Sequence, residues 1–141
     1  MVTATFLQID PFITLEVRAT RKVQTKVCND TLNPKFEQEF DMLVQEPSTQ
    51  LLKIEAFDHQ SWPGSSRFLS RAKVPISICT ELPDVMVEHE EELGQGSWQD
   101  DEIGGGYGKV WFWGCFSLLW KAVINMSVAC ERYLPSSHGV S

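Results

Sequence analysis

The stretch Thr31-Leu32-Asn33-Pro34-Lys35-Phe36-Glu37-Gln38-Glu39-Phe40 reads as the end of one strand, a turn, and the entry to another. Proline has no amide donor and drives the residue before it into extended backbone, so Asn33-Pro34 stops a strand. Beyond it, Phe36, Phe40, Met42 and Val44 share one face, and Glu37, Glu39 and Asp41 lie opposite. That two-residue period belongs to a half-buried strand. The same alternation continues in both directions. Ile13, Leu15 and Val17 alternate with Thr14 and Glu16, and Val23, Thr25 and Val27 alternate with Lys22, Gln24 and Lys26. Leu52, Ile54 and Ala56 oppose Lys53 and Glu55, and Ala72, Val74, Ile76 and Ile78 oppose Lys73 and Ser77. Turn-forming residues separate these runs at Asn29-Asp30, Glu46-Pro47-Ser48 and Ser61-Trp62-Pro63-Gly64. Short strands with one apolar face each, and no convincing helix between them, predict an all-β antiparallel sandwich.

The chain has 141 residues, enough for one domain, with a formal charge of −7. The acid is concentrated. Residues 1–80 carry nine Lys/Arg against nine Asp/Glu, residues 81–102 carry nine acids and no Lys or Arg, and residues 103–141 carry three bases against one acid. This balance argues against a nucleic-acid partner. The acidic stretch and the Gly104-Gly105-Gly106 run predict a solvated linker over 81–108 between a sandwich core, 1–80, and an aromatic-rich tail, 109–141.

Val110 to Trp120 is eleven residues without a charge, short of the roughly 20 that a membrane helix needs. Extending it to Cys130 places Lys121 near the middle, at a cost of about 2.5–3.5 kcal/mol. A buried last strand, an interfacial or partner-binding segment over 110–120, and a membrane span are the readings left open. Cys28, Cys79, Cys115 and Cys130 form no Cys-x-x-Cys pair or Cys/His cluster, so they read as structural thiols in a reducing compartment. No secretory signal is visible at the N-terminus. No Gly-x-Ser-x-Gly, His-Glu-x-x-His or phosphate loop is present, so no enzyme is expected.

Several segments resemble the C2 domain family, most closely its synaptotagmin and extended-synaptotagmin members. Asp10-Pro11-Phe12-Ile13 is similar to the Asp-Pro-Tyr-Val that opens a strand after the family's first loop. Thr25-Lys26-Val27 followed by Thr31 to Phe40 resembles the signature Thr-Lys-Val, Thr-Leu-Asn-Pro-x-Trp-Asn-Glu-x-Phe. Leu52 to Asp58 resembles the strand into the third loop, and Phe68-Leu69 with Ala72 to Ile78 the Phe-Leu-Gly strand. The resemblance covers residues 10–78. It implies an eight-stranded sandwich with a strand or two before Asp-Pro, where this chain has only Thr3 to Gln8. Six or seven strands are therefore expected, in a shortened and marginally stable chain with an exposed sheet edge.

The resemblance also implies a calcium site built from five acidic side chains. Asp10 and Asp58 match two of them, but Gln60 and Arg67 stand at two others, Ser70 replaces the glycine of Phe-Leu-Gly, and no acid precedes Asp10. Calcium takes six to eight oxygen ligands. The expectation is no metal and no other cofactor; Arg67 either pairs with Asp58, with Asp10 as an optional further partner, in place of the ion, or simply faces water. The family also docks on membranes through basic strands and loop tips. Arg18, Arg21, Lys22 and Lys26 map onto its lysine-rich strands, and Trp62 sits at the loop tip. The basic face is either a lipid surface or an ordinary solvated sheet face, and Trp62 either enters the bilayer interface or folds back. The resemblance thus implies a cytoplasmic, peripheral membrane module for trafficking, tethering or lipid transport. Anionic membranes, phosphoinositides included, are its expected partners. The alternative is a protein–protein scaffold that binds through a sheet edge or residues 110–120.

Overall fold

The computed structural model describes residues 9–18, 21–60, 65–101, 103, 108–117 and 123–131. Eight strands and one helical turn follow in chain order: β1 (Pro11–Arg18), β2 (Arg21–Gln24), β3 (Phe40–Leu43), β4 (Leu51–His59), β5 (Ser66–Pro75), α1 (Ser77–Thr80), β6 (Met86–Glu92), β7 (Lys109–Ser117) and β8 (Val123–Glu131). They form two antiparallel four-stranded sheets, one ordered β2-β1-β4-β5 and the other β3-β8-β7-β6. The inward positions of both sheets meet in one core, where Ile13, Leu15, Phe36, Leu52, Ile54, Val74, Val110 and Phe112 are each at most 1% exposed. The all-β sandwich expected from the alternation is the fold observed.

The count of six or seven strands is corrected to eight among the described residues, because the tail contributes two. β7 pairs along its whole length with β8, and β8 fills the gap between β7 and β3. Val110, Phe112, Phe116, Met126 and Val128 point inward, while Trp111, Trp113, Cys115 and Ser127 point outward. The uncharged run thus alternates like the others, with aromatic residues on both faces disguising the period. Of the three readings of this segment, the strand is the one found. No described helix is long and apolar enough to cross a membrane.

The acidic stretch is corrected as well. Met86–Glu92 is a strand paired in register with β7, from Met86↔Cys115 to Glu92↔Lys109. Composition hid a two-residue period: Val87, His89 and Glu91 are half-buried, while Met86, Glu88, Glu90 and Glu92 are exposed. His89 packs on Phe112 with ring centroids 5.5 Å apart. On the outer side the glutamates accept indole N–H groups, Trp111 Nε1 to Glu90 at 3.0 Å and Trp113 Nε1 to Glu88 at 2.7 Å. A charged edge strand also resists pairing with other chains.

Two of the expected strands are shorter than their alternation suggests. Glu37 adopts a φ of 51°, a left-handed conformation that breaks the extended run between Phe36 and β3. Pro75 ends β5, and Ile76 N–H is instead satisfied by Gln50 O at 3.0 Å as the chain enters α1. All four cysteines are free thiols. Burial pushes the Cys79 thiol up to about 11 and raises that of Cys28, so the neutral form expected of structural thiols is favoured.

Candidate functional site

One end of the sandwich gathers the residual acidic positions. Antiparallel pairing of β1 with β4 sets Pro11 opposite Asp58, and pairing of β4 with β5 sets Asp58 opposite Arg67. Asp58 is 8% exposed. Its Oδ1 accepts the Asp10 N–H at 2.9 Å, and its Oδ2 accepts Arg67 Nη2 at 3.1 Å. Asp10 in turn accepts the Asp30 N–H at 2.7 Å through its own Oδ1. Asp30 sits at φ 56°, a left-handed turn that aspartate tolerates better than most residues.

Three of the four oxygens of this carboxylate pair therefore already accept hydrogen bonds, two of them from loop backbone. The pair ties the first loop to β4 and the loop after β2. Arg67 pairs with Asp58, as expected, whereas the partner of Asp10 is a backbone amide. No three His, Cys, Asp or Glu side chains converge on a point among the described residues. Asp10 and Asp58 are both engaged in hydrogen bonds, and the Arg67 guanidinium stands 3.1 Å from Asp58, at the end where the resemblance implied a site of six to eight oxygen ligands.

The basic positions lie on or beside the outer face of the first sheet. β1 and β2 pair Glu16 with Lys22 and Arg18 with Arg21. Lys22 Nζ stands 3.8 Å from both Glu16 and Glu55, with half of its side chain exposed. Arg21 is exposed, Arg18 is half-buried, and Lys26 lies exposed just beyond β2. Trp62 falls outside the described residues. Sequence reasoning missed three further cations on this face, Lys53 and Lys73, which are register partners, and Arg71 opposite Glu55. Their outward direction was legible from alternation; their convergence depends on the register of β4 and β5.

The second sheet presents a different outer face. Trp111 and Trp113 are half-exposed there, beside Glu88, Glu90 and the 58%-exposed Met86. Lys109 Nζ meets Glu90 at 3.1 Å.

Two packed four-stranded sheets, with acidic positions in the loops at one end and basic residues on one outer face, make up the described part of the chain. The C2 domain family matches residues 3–93, and the chain belongs to that family. Among curated proteins, it is 34% identical over 68 residues to a "Calcium-dependent lipid-binding protein" of Arabidopsis thaliana, covering 48% of this chain and 13% of the relative. It is 33% identical over 70 residues to Synaptotagmin-4 of the same plant, covering 48% and 12%. Among solved structures, a C2 domain of plant Extended Synaptotagmin 1 superposes with a TM-score of 0.57 at 17% identity. That match covers 88% of this chain and 79% of the other. A structure of Extended-Synaptotagmin 2 that holds its SMP domain and two C2 domains gives 0.52 at 18% identity, covering 86% and 22%. The structural likenesses establish the fold, and the chain spans about one eighth of the length of the curated relatives.

Proposed function

We propose that this chain is a calcium-independent C2 module that binds anionic membranes through Arg18, Arg21, Lys22 and Lys26. In this reading it belongs to the peripheral, cytoplasmic apparatus of trafficking, tethering or lipid transport. The observation that carries the reading is the Asp58–Arg67 pair, 3.1 Å apart. A side-chain cation stands where the family's loops hold a metal, which supports Asp58 being held by Arg67 in place of an ion. One relative carries calcium dependence in its name; in this chain the engaged carboxylates argue for the opposite.

Each basic residue near an anionic leaflet contributes about 1 kcal/mol, so four give about 4 kcal/mol, a Kd on the order of 1 mM. Binding at that strength serves a tether in which several weak contacts act together. Lys22→Glu with Lys26→Glu is expected to weaken co-sedimentation with phosphatidylserine vesicles by roughly thirtyfold or more in a chelator. Absence of sedimentation by the unaltered chain, or sedimentation that both reversals leave unchanged, refutes the membrane reading.

A second reading, a protein–protein scaffold, is supported by Trp111 and Trp113 on the other outer face. An indole whose single donor is already bonded offers its π face, a common interface anchor. Binding of a protein that Trp113→Ala abolishes, with no vesicle binding, would favour it.

A further inference from the structure

The outer face of the second sheet carries charge of the opposite sign to the first. Glu88, Glu90 and Glu92 of β6 are all exposed, and register sets them against Trp113, Trp111 and Lys109 of β7. Across the sheet, exposed Asp41 of β3 stands opposite Asn125, whose Nδ2 donates to its Oδ1 at 2.9 Å. Among the described residues Lys109 reaches Glu90 at 3.1 Å, while Glu88 and Glu92 form no ion pair. The face is therefore left with unneutralised negative charge.

Its two tryptophans are held in place. Trp111 and Trp113 each give their one donor to a glutamate Oε1, which fixes the ring and leaves its half-exposed π face for a ligand. A side chain already fixed loses little entropy on binding. On the β8 side the same rows continue into Ala129 and Ser127, whose small side chains leave both indoles standing proud. Apolar surface adjoins them. Among the described residues the exposed large apolar side chains are Leu43, Leu82, Val85 and Met86. Leu43 and Met86 take outward positions on β3 and β6. Leu82 and Val85 precede β6 in a turn that the Asp84 N–H ties to Phe116 O at 2.7 Å, so all four gather toward the Ser117 end of β7. Apolar surface rimmed by charge in this way marks an interaction site.

β7 is paired on both sides, by β6 and β8, so no strand can be added at Trp111 and Trp113. A helix satisfies its own backbone and docks through side chains alone. We infer that this face binds a cationic amphipathic helix of another protein. Its apolar stripe lies on Trp111, Trp113 and Met86, and its lysines or arginines lie over Glu88, Glu90 and Glu92. A cation placed there meets a carboxylate and an indole face together. From Trp111 to Ser117 β7 runs about 20 Å, a span matched by a helix of about 14 residues. The inference rests on the protein-binding reading above, gives that partner its chemistry, and does not require the membrane reading.

The probe is a fluorescein-labelled peptide of about 14 residues with leucine and lysine at helical spacing, compared with versions carrying glutamate or serine for lysine. Anisotropy with the full chain is expected to show the lysine peptide bound, more weakly as salt rises, and the glutamate peptide unbound. Trp113→Ala is expected to weaken binding roughly tenfold or more. Glu88→Gln with Glu90→Gln keeps an acceptor for each indole, and is expected to weaken binding about fivefold and to flatten its salt dependence. Cys115, opposite Met86 on the same face, should be alkylated by iodoacetamide more slowly in the complex. Serine-peptide binding equal to that of the lysine peptide, and still lost in Trp113→Ala, overturns the cationic assignment while the protein-binding reading stands. Binding that Trp113→Ala leaves intact removes both. Binding of no peptide, or unchanged alkylation of Cys115, overturns the inference. Self-association lost in Glu88→Gln with Glu90→Gln, or vesicle binding lost in Trp113→Ala, also overturns it, by giving the face to a second copy or to a bilayer.

Discussion

A chain ended at Gly108 is expected to lose its cooperative thermal transition altogether. Removing residues 109–141 takes away β7 and β8, leaving β3 and β6 without any partner in the second sheet. Val110, Phe112, Phe116, Met126 and Val128, all buried, leave with them. At about 1.5–3 kcal/mol each, their burial contributes roughly 8–15 kcal/mol, comparable with the whole net stability of about 5–15 kcal/mol. The inward face of the first sheet would then be open to water. Circular dichroism and calorimetry of the shortened chain provide the check. A graded version is Phe112→Ala, expected to cost about 3–5 kcal/mol, because a side chain 1% exposed leaves a cavity its neighbours cannot fill. A sharp unfolding transition in the chain ended at Gly108 would mean that residues 1–80 fold alone and that the tail is an appendage.

The second large effect concerns the metal. Gln60→Asp combined with Arg67→Asp is expected to create a calcium site, whereas the parent chain is expected to give no saturable heat. Arg67 holds Asp58 Oδ2 at 3.1 Å, and removing the guanidinium frees that oxygen. The exchange also places two new carboxylates at the positions where the family carries acids. With Asp10 and Asp58 the loops then present four carboxylates, enough for a weak site with a Kd on the order of 10⁻⁴–10⁻³ M. Loss of the ion pair itself costs little, since the Arg67 side chain is 53% exposed and such pairs contribute about 0–1 kcal/mol. Calcium titration of both chains by calorimetry measures the difference. Saturable binding by the parent chain, or none by the doubly substituted one, contradicts the assigned role of Arg67.

How far the sequence was legible follows from what each period could report. β1, β4 and β5 were readable because their apolar positions alternate cleanly with charged ones, as in Leu52-Lys53-Ile54-Glu55-Ala56. β6 was not, because its glutamates are stabilised by groups 21 and 25 residues away, the indoles of Trp111 and Trp113. Composition alone made that strand look like a linker. β7 was ambiguous because tryptophans fill its outward positions, removing the contrast on which alternation depends. At the loop end, Arg67 facing Asp58 was readable from matched positions, whereas Asp30 donating to Asp10 depends on a left-handed turn. The cationic cluster was hidden in a different way. Lys53 and Lys73 were each visibly outward, but their opposition is a property of register, and the Trp98 ring 5.3 Å from Lys53 Nζ comes from a segment that reads as acidic.

Sedimentation of the unaltered chain with phosphatidylserine vesicles, run in parallel in EGTA and in 1 mM calcium, tests the central claim directly (the calcium level sits at the weak end of the known affinity range, about 10⁻³ M). The account predicts equal bound fractions in the two conditions and a fall in both as salt is raised, as expected of a surface held by arginine and lysine. Vesicle binding that appears only with calcium would contradict it.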